Sequence, residues 1–119
     1  MAILVVEDDP GIRQGIADFL EFEGYAVDVA MNGEEALSYL RQQRPSLLVL
    51  DLVMPVMNGP QLLERLRRER IAEGVPVAIM TAAMPGASTL PAADAYLSKP
   101  FDLDELLQVV GRHAGPPAP

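Results

Sequence analysis

The sequence predicts an α/β domain: a doubly wound, five-stranded parallel sheet in a three-layer α/β/α arrangement. Two observations carry this prediction. Five short apolar runs recur along the chain, and amphipathic stretches at helical spacing separate most of them. Runs of about four apolar residues without alternation suit strands covered on both faces, and parallel strands connect through right-handed helical crossovers.

The runs are Ile3-Leu4-Val5-Val6, Ala26-Val27-Asp28-Val29-Ala30, Leu47-Leu48-Val49-Leu50, Val77-Ala78-Ile79-Met80 and Ala95-Tyr96-Leu97. After the first, Ile12, Ile16, Phe19 and Leu20 fall on one helical face behind Asp9-Pro10. Gly24 stands where a helix C′ glycine belongs, which gives a first helix of about fourteen residues. Asn32-Gly33-Glu34-Glu35 opens a second helix through Ala36, Leu37 and Leu40, ended before Pro45. Leu62, Leu63, Leu66 and Ile71 mark a third. The last helix begins at Asp102, with Glu105 placed as in a capping box, and carries Leu106, Leu107, Val109 and Val110. Between Ala82 and Ala93, Pro85, Gly86 and Pro91 interrupt any helix, so the fourth crossover helix is expected to be shortened or absent. The domain is expected to span 1–114, with Gly115-Pro116-Pro117-Ala118-Pro119 as a tail or the start of a linker.

Composition narrows the function classes. A chain of 119 residues, 50% hydrophobic, is the size of one domain with one real core. Its net charge of −8 opposes a sequence-independent grip on nucleic acid. The absence of cysteine removes disulfides, thiolate metal sites and thiol nucleophiles. The N-terminal apolar run is too short for a signal sequence, and no run reaches membrane-spanning length, so the chain is expected to be cytoplasmic.

The chemistry-bearing residues fall at matching places. Glu7 and Asp8 follow the first strand, Asp51 the third, Thr81 the fourth and Lys99 the fifth. In a parallel sheet all strand C-termini share one edge, so these side chains should converge there, where such folds bind ligands. Clustered carboxylates repel one another unless a cation is present. Oxygen ligands without His or Cys suit a hard ion, and Mg²⁺ is the expected one. It would neutralise the cluster and make a carboxylate usable against phosphorus. Lys99 would add a positive point charge and Thr81 a hydroxyl donor, both suited to a transferred phosphoryl group. Lys99 is the one lysine among nine basic residues, at a position where a compact ammonium differs chemically from a guanidinium.

Glu7-Asp8 after its strand, Leu50-Asp51-Leu52-Val53-Met54-Pro55 with Gly59, Met80-Thr81-Ala82, and Tyr96-Leu97-Ser98-Lys99-Pro100-Phe101 occur in this order. Together they resemble the bacterial two-component response-regulator receiver domain over nearly its full length. The resemblance implies the flavodoxin-like strand order 2-1-3-4-5. It implies that Asp51 is the phosphoacceptor, that Asp8, Asp51 and the Val53 carbonyl bind Mg²⁺, and that Glu7 assists through water. It also implies that Thr81 and Lys99 contact the phosphoryl group, that Tyr96 is an aromatic switch, and that Lys99-Pro100 is cis. The implied partners are a sensor histidine kinase or phosphotransfer protein and an effector domain or output protein, with the chain a monomer or weak homodimer. Val53 and Ala83 stand at positions that, in this family, flank the route of water to the phosphoryl group. Neither side chain can orient a water, so a long-lived phosphorylated form is expected.

Plainer readings compete at several positions. Asp9 and Asp102 read as helix N-caps, and Asp8 allows that role too. Tyr96 fits a core aromatic as well as a switch. Met54, Met57, Met80 and Met84 read as packing residues, and His113 as solvated without a phosphotransfer role. Arg65, Arg67, Arg68 and Arg70 read as the outer face of the third helix. Three other functions compete with this reading. A receiver-like interaction module working without phosphorylation is the alternative, yet no acidic, Thr or Lys residue is lost. A haloacid-dehalogenase-type phosphohydrolase would want Asp where Val53 stands. A flavin-binding protein would need a phosphate-cradling loop where Glu7-Asp8-Asp9 lies.

Overall fold

A computed structural model describes residues 2–54, 56–82 and 93–117. The chain runs β1 (Ile3–Val6), α1 (Pro10–Phe22), β2 (Val27–Ala30), α2 (Gly33–Gln42), β3 (Leu47–Asp51), α3 (Gly59–Glu69), β4 (Val77–Thr81), β5 (Ala95–Ser98) and α4 (Leu103–Ala114). All strand pairs are parallel and the order is β2-β1-β3-β4-β5. The shortened crossover expected between the last two strands falls largely on residues 83–92, outside the described residues.

Strand alternation divides the core in two. Ile3, Val5, Leu47, Val49, Ala78 and Met80 face Ile16 and Leu20 of α1 and Leu106 and Val110 of α4. Leu4, Val6, Leu48 and Leu50 face Ala36, Leu37 and Leu40 of α2 and Leu62 and Leu66 of α3. β1 and β3 are buried throughout, which explains their unbroken apolar runs. The edge strands depart from that expectation. β2 exposes Asp28 and Val29, and β5 buries only Leu97 fully, because an edge strand has one neighbour instead of two.

Helix starts follow the capping residues. Asp9 accepts the Ile12 N–H at 3.0 Å, Asn32 the Glu35 N–H at 2.8 Å and Asp102 the Glu105 N–H at 2.9 Å. Asp9 and Asp102 are therefore the caps they were expected to be. α1 covers 13 residues and is followed by Gly24 at φ 100°, a conformation that costs glycine little. α3 begins one turn before its first leucine: Asn58 and Gln61 form a reciprocal capping box. It ends at Arg70 in the left-handed region, so Ile71 is not on the helix. Ile71 instead returns its N–H to the Leu66 carbonyl at 2.9 Å and leans on the core, and its five-residue separation from Leu66 does not fit a helical stripe.

Candidate functional site

β3 and β4 each run one residue further than their apolar segments, so Asp51 and Thr81 are the last strand residues. In the register Asp51 lies beside Met80, and Thr81 beside Ser98. Glu7 follows β1, with Val6 opposite Leu50. The sheet therefore delivers Glu7, Asp8, Asp51, Thr81 and Lys99 to one edge.

Three of the few polar side chains in the interior meet there: Glu7, Asp51 and Thr81 are each buried. Lys99 Nζ donates to Glu7 Oε1 at 2.6 Å and lies 3.4 Å from Asp51 Oδ2. Burial alone would lower the Lys99 pKa. The hydrogen bond to Glu7 and the charges of Asp51 and Glu7 outweigh it, holding the ammonium above the ordinary lysine value. The Lys99 N–H bonds the Thr81 carbonyl at 2.7 Å, tying the two strand ends together. The Lys99-Pro100 bond is cis.

Asp51 has its second oxygen, Oδ1, on the Val53 N–H at 3.2 Å. The chain then turns away so tightly that a Cβ on Gly59 would stand 2.9 Å from Leu52 Cα and 3.0 Å from the Asp51 carbonyl. Only glycine lets the start of α3 come this close to the carboxylate-bearing strand. Val56, in the same loop, sits at φ 69°, where a β-branched residue is strained.

Carboxylate oxygens of Glu7, Asp8 and Asp51 lie within 4.8 Å of one another. Mg–O distances of about 2.1 Å place ligand oxygens roughly 3 to 4 Å apart, so a small contraction fits this set to Mg²⁺. With Lys99 counted, the group still carries two uncompensated negative charges, which a divalent ion matches. Asp8 is exposed, accessible from solvent, and its neighbour Asp9 takes the capping role.

Two expectations need amendment. Tyr96 is not a core aromatic: it points out from the edge strand, 39% exposed, and its hydroxyl accepts the Ala93 N–H at 3.0 Å. Arg13 was not anticipated. Its guanidinium donates to the Glu7 carbonyl at 3.0 Å, bracing the loop that carries the carboxylates. Nothing in the sequence separates Arg13 from a solvent-facing helix residue, because the partner is backbone. His113, expected to be solvated, is partly buried. Arg67, Arg68 and Arg70 lie on the exposed face of α3 and its end, as expected, whereas Arg65 of the same cluster is only partly exposed.

Residues 3–111 match the profile of the response regulator receiver domain. Response regulator Rre1 of Synechocystis is 39% identical over 92% of this chain and 50% of its own length. The chain thus spans about half the length of the curated relatives it matches. Among solved structures, the receiver domain of the Francisella response regulator 1452 superposes with a TM-score of 0.86 at 33% identity, covering 95% of both chains. The Thermotoga maritima response regulator TrrA, determined in complex with Mg²⁺-BeF, gives 0.83 at 36% identity over 94% of this chain and 98% of its own.

Proposed function

The chain belongs to the response regulator receiver domain family, and from that premise we propose that Asp51 accepts a phosphoryl group in an Mg²⁺-assisted transfer. The observation that carries this reading is the shared ammonium: Lys99 reaches both Glu7 and Asp51 inside a cluster of three carboxylates. An Asp51 carboxylate oxygen forms the new O–P bond as the bond between phosphorus and the donor breaks, and the donor keeps that electron pair. Asp8, Asp51 and the Val53 carbonyl are the groups suited to hold Mg²⁺, with Glu7 assisting through water. The ion would supply charge neutralisation at the phosphoryl oxygens. Lys99 pairs with one phosphoryl oxygen and the Thr81 hydroxyl donates to another, so both act where negative charge gathers.

The domain is taken to close at residue 114, the end of α4, with 115–119 as tail or linker. The phosphoryl donor is a sensor histidine kinase or phosphotransfer protein, in the cytoplasm, and the readout passes through an effector domain or output protein. No helix among the described residues is long and apolar enough to cross a membrane. Tyr96 is the switch residue: it starts outward on β5, the strand next to the one that ends in Thr81. Val53 is largely exposed beside the site and offers no group to orient a water, which supports slow self-dephosphorylation.

Incubating the protein with Mg²⁺ and a small acyl phosphate should raise its intact mass by one phosphoryl group, and Asp51→Asn should abolish the gain. Labelling of Asp51→Asn equal to wild type overturns the assignment. For the lifetime, Val53→Asn should speed the loss of phosphoryl mass; rapid decay in wild type that Val53→Asn leaves unchanged contradicts it.

A further inference from the structure

The charge of this molecule is strongly segregated. Six of the nine basic residues, Arg41, Arg44, Arg65, Arg67, Arg68 and Arg70, lie at the C-terminal parts of α2 and α3 or just beyond. The acidic residues accompanying them are Glu64, Glu69 and Glu73, and the first two are already engaged. Glu69 takes Arg41 and Arg65, and Glu64 takes Arg67. Among the described residues Arg68 and Arg70 make no ion pair. A chain of net charge −8 thus carries a cationic face opposite in sign to the rest of its surface.

That face borders a concave, partly apolar surface. An open groove of about 470 Å³ runs where the β3–α3 loop meets the first turns of α3. Val56, Met57 and Pro60 supply its apolar lining, and Gln61, Glu64, Arg65 and Arg68 complete it. Glu64 is held by Arg67 and Arg65 by Glu69, which leaves Arg68 as the positive charge of the groove without an ion pair among the described residues. Val56 is 71% exposed and its backbone is held at φ 69°, so an apolar side chain is presented to solvent in a strained conformation. Exposed apolar surface rimmed by charge marks a contact site more often than a scattered surface residue does.

We propose that this groove docks a short acidic segment of a partner protein carrying apolar side chains among its carboxylates. The apolar side chains lie against Val56, Met57 and Pro60, and the carboxylates face Arg68, while Arg65 stays with Glu69. Arginine suits the role, because its fork meets a carboxylate through two parallel hydrogen bonds. Nucleic acid fits less well: the groove lining contains no aromatic ring for a base to stack on, and the molecule as a whole repels phosphates. This docking does not depend on Asp51 or on phosphorylation.

The test is titration of the ¹⁵N-labelled full chain with a short synthetic peptide of Glu and Asp carrying Leu and Phe. A Gln/Asn version of the peptide and a single-stranded oligothymidine run in parallel. Amide shifts should centre on residues 56–68, and the Gln/Asn peptide should bind at least about tenfold more weakly. Arg68→Glu and Arg70→Glu, both exposed, should each keep the wild-type melting curve, and Arg68→Glu should weaken the acidic peptide about tenfold. Arg112→Glu, outside this face, should leave it unchanged. The proposal is overturned by shifts outside this face, by an Arg68→Glu variant that binds as wild type, or by oligothymidine shifting the same amides equally. Self-association of the chain through this face, seen by sedimentation and lost in Arg68→Glu, overturns it in favour of a second copy as occupant.

Discussion

Lys99 and Arg67 each pair with a glutamate, at 2.6 and 2.5 Å, yet the two pairs live in different solvents. The Glu7 side chain is 1% exposed and that of Lys99 19%, whereas Arg67 and Glu64 are 76% and 53% exposed. Water screens the second pair and replaces either partner at little cost. The first pair has no such replacement, so removing one member leaves a charge stranded among other carboxylates. Similar distances thus describe a structural and chemical centre in one region and a solubilising surface in the other.

The largest effect should come from stranding the buried charges. Lys99→Met is expected to destabilise the fold by about 3 kcal/mol in urea denaturation without Mg²⁺, the cost typical of breaking a buried pair. A loss below about 1 kcal/mol would place this pair with the surface ones. Mg²⁺ should then act as a substitute counter-charge. At about ten times its Kd it should stabilise the wild type by about 1.4 kcal/mol, because it binds only the folded carboxylate cluster. Asp8→Asn should reduce the rise in Tm, and an unchanged wild-type melting curve in millimolar Mg²⁺ would argue against the proposed ligands.

Smaller effects probe the surface. Tyr39 donates to Asp28 at 2.7 Å, and its pKa is pushed up to about 12 by partial burial, by that hydrogen bond and by the Asp28 charge. A folded-state pKa above the unfolded value means the stabilisation is intact below pH about 10 and fades as pH climbs toward 12. Tyr39→Phe should flatten that part of the alkaline stability curve; an identical slope would show that Asp28 exerts no hold on it. The smallest change is expected for Arg67→Ala, within about 0.5 kcal/mol of wild type. A larger loss would show that α3 depends on its surface ion pairs.

How much of this was legible beforehand depended on distance along the chain. The parallel direction of the strands and the convergence of Asp51, Thr81 and Lys99 followed from where polar residues interrupt apolar runs, a local pattern, whereas the order 2-1-3-4-5 rested on the family resemblance. Asp9 and Asp102 were readable as caps because their partners lie three residues on. Asn58 and Gln61 have the same spacing and were passed over, since the leucines that drew attention to α3 begin a turn later. The outward Tyr96 was beyond reach of a motif: an aromatic in an apolar run looks buried until the strand is known to be an edge. The contact of Arg13 with the Glu7 carbonyl was equally hidden, because a backbone acceptor leaves no trace in residue types.

By itself, then, the sequence determined the layers, the starts of α1, α2 and α4, and the edge of the sheet at which the acidic, hydroxyl and ammonium groups would meet. These depend on periodicity and on the shared direction of parallel strands. Only the tertiary structure decided that Lys99 is shared between Glu7 and Asp51 while Asp8 remains open to solvent, and that Val56 and Arg68 border one groove. Those outcomes rest on side-chain directions set by packing between segments as far as 92 residues apart, and that information is absent from any short stretch of chain.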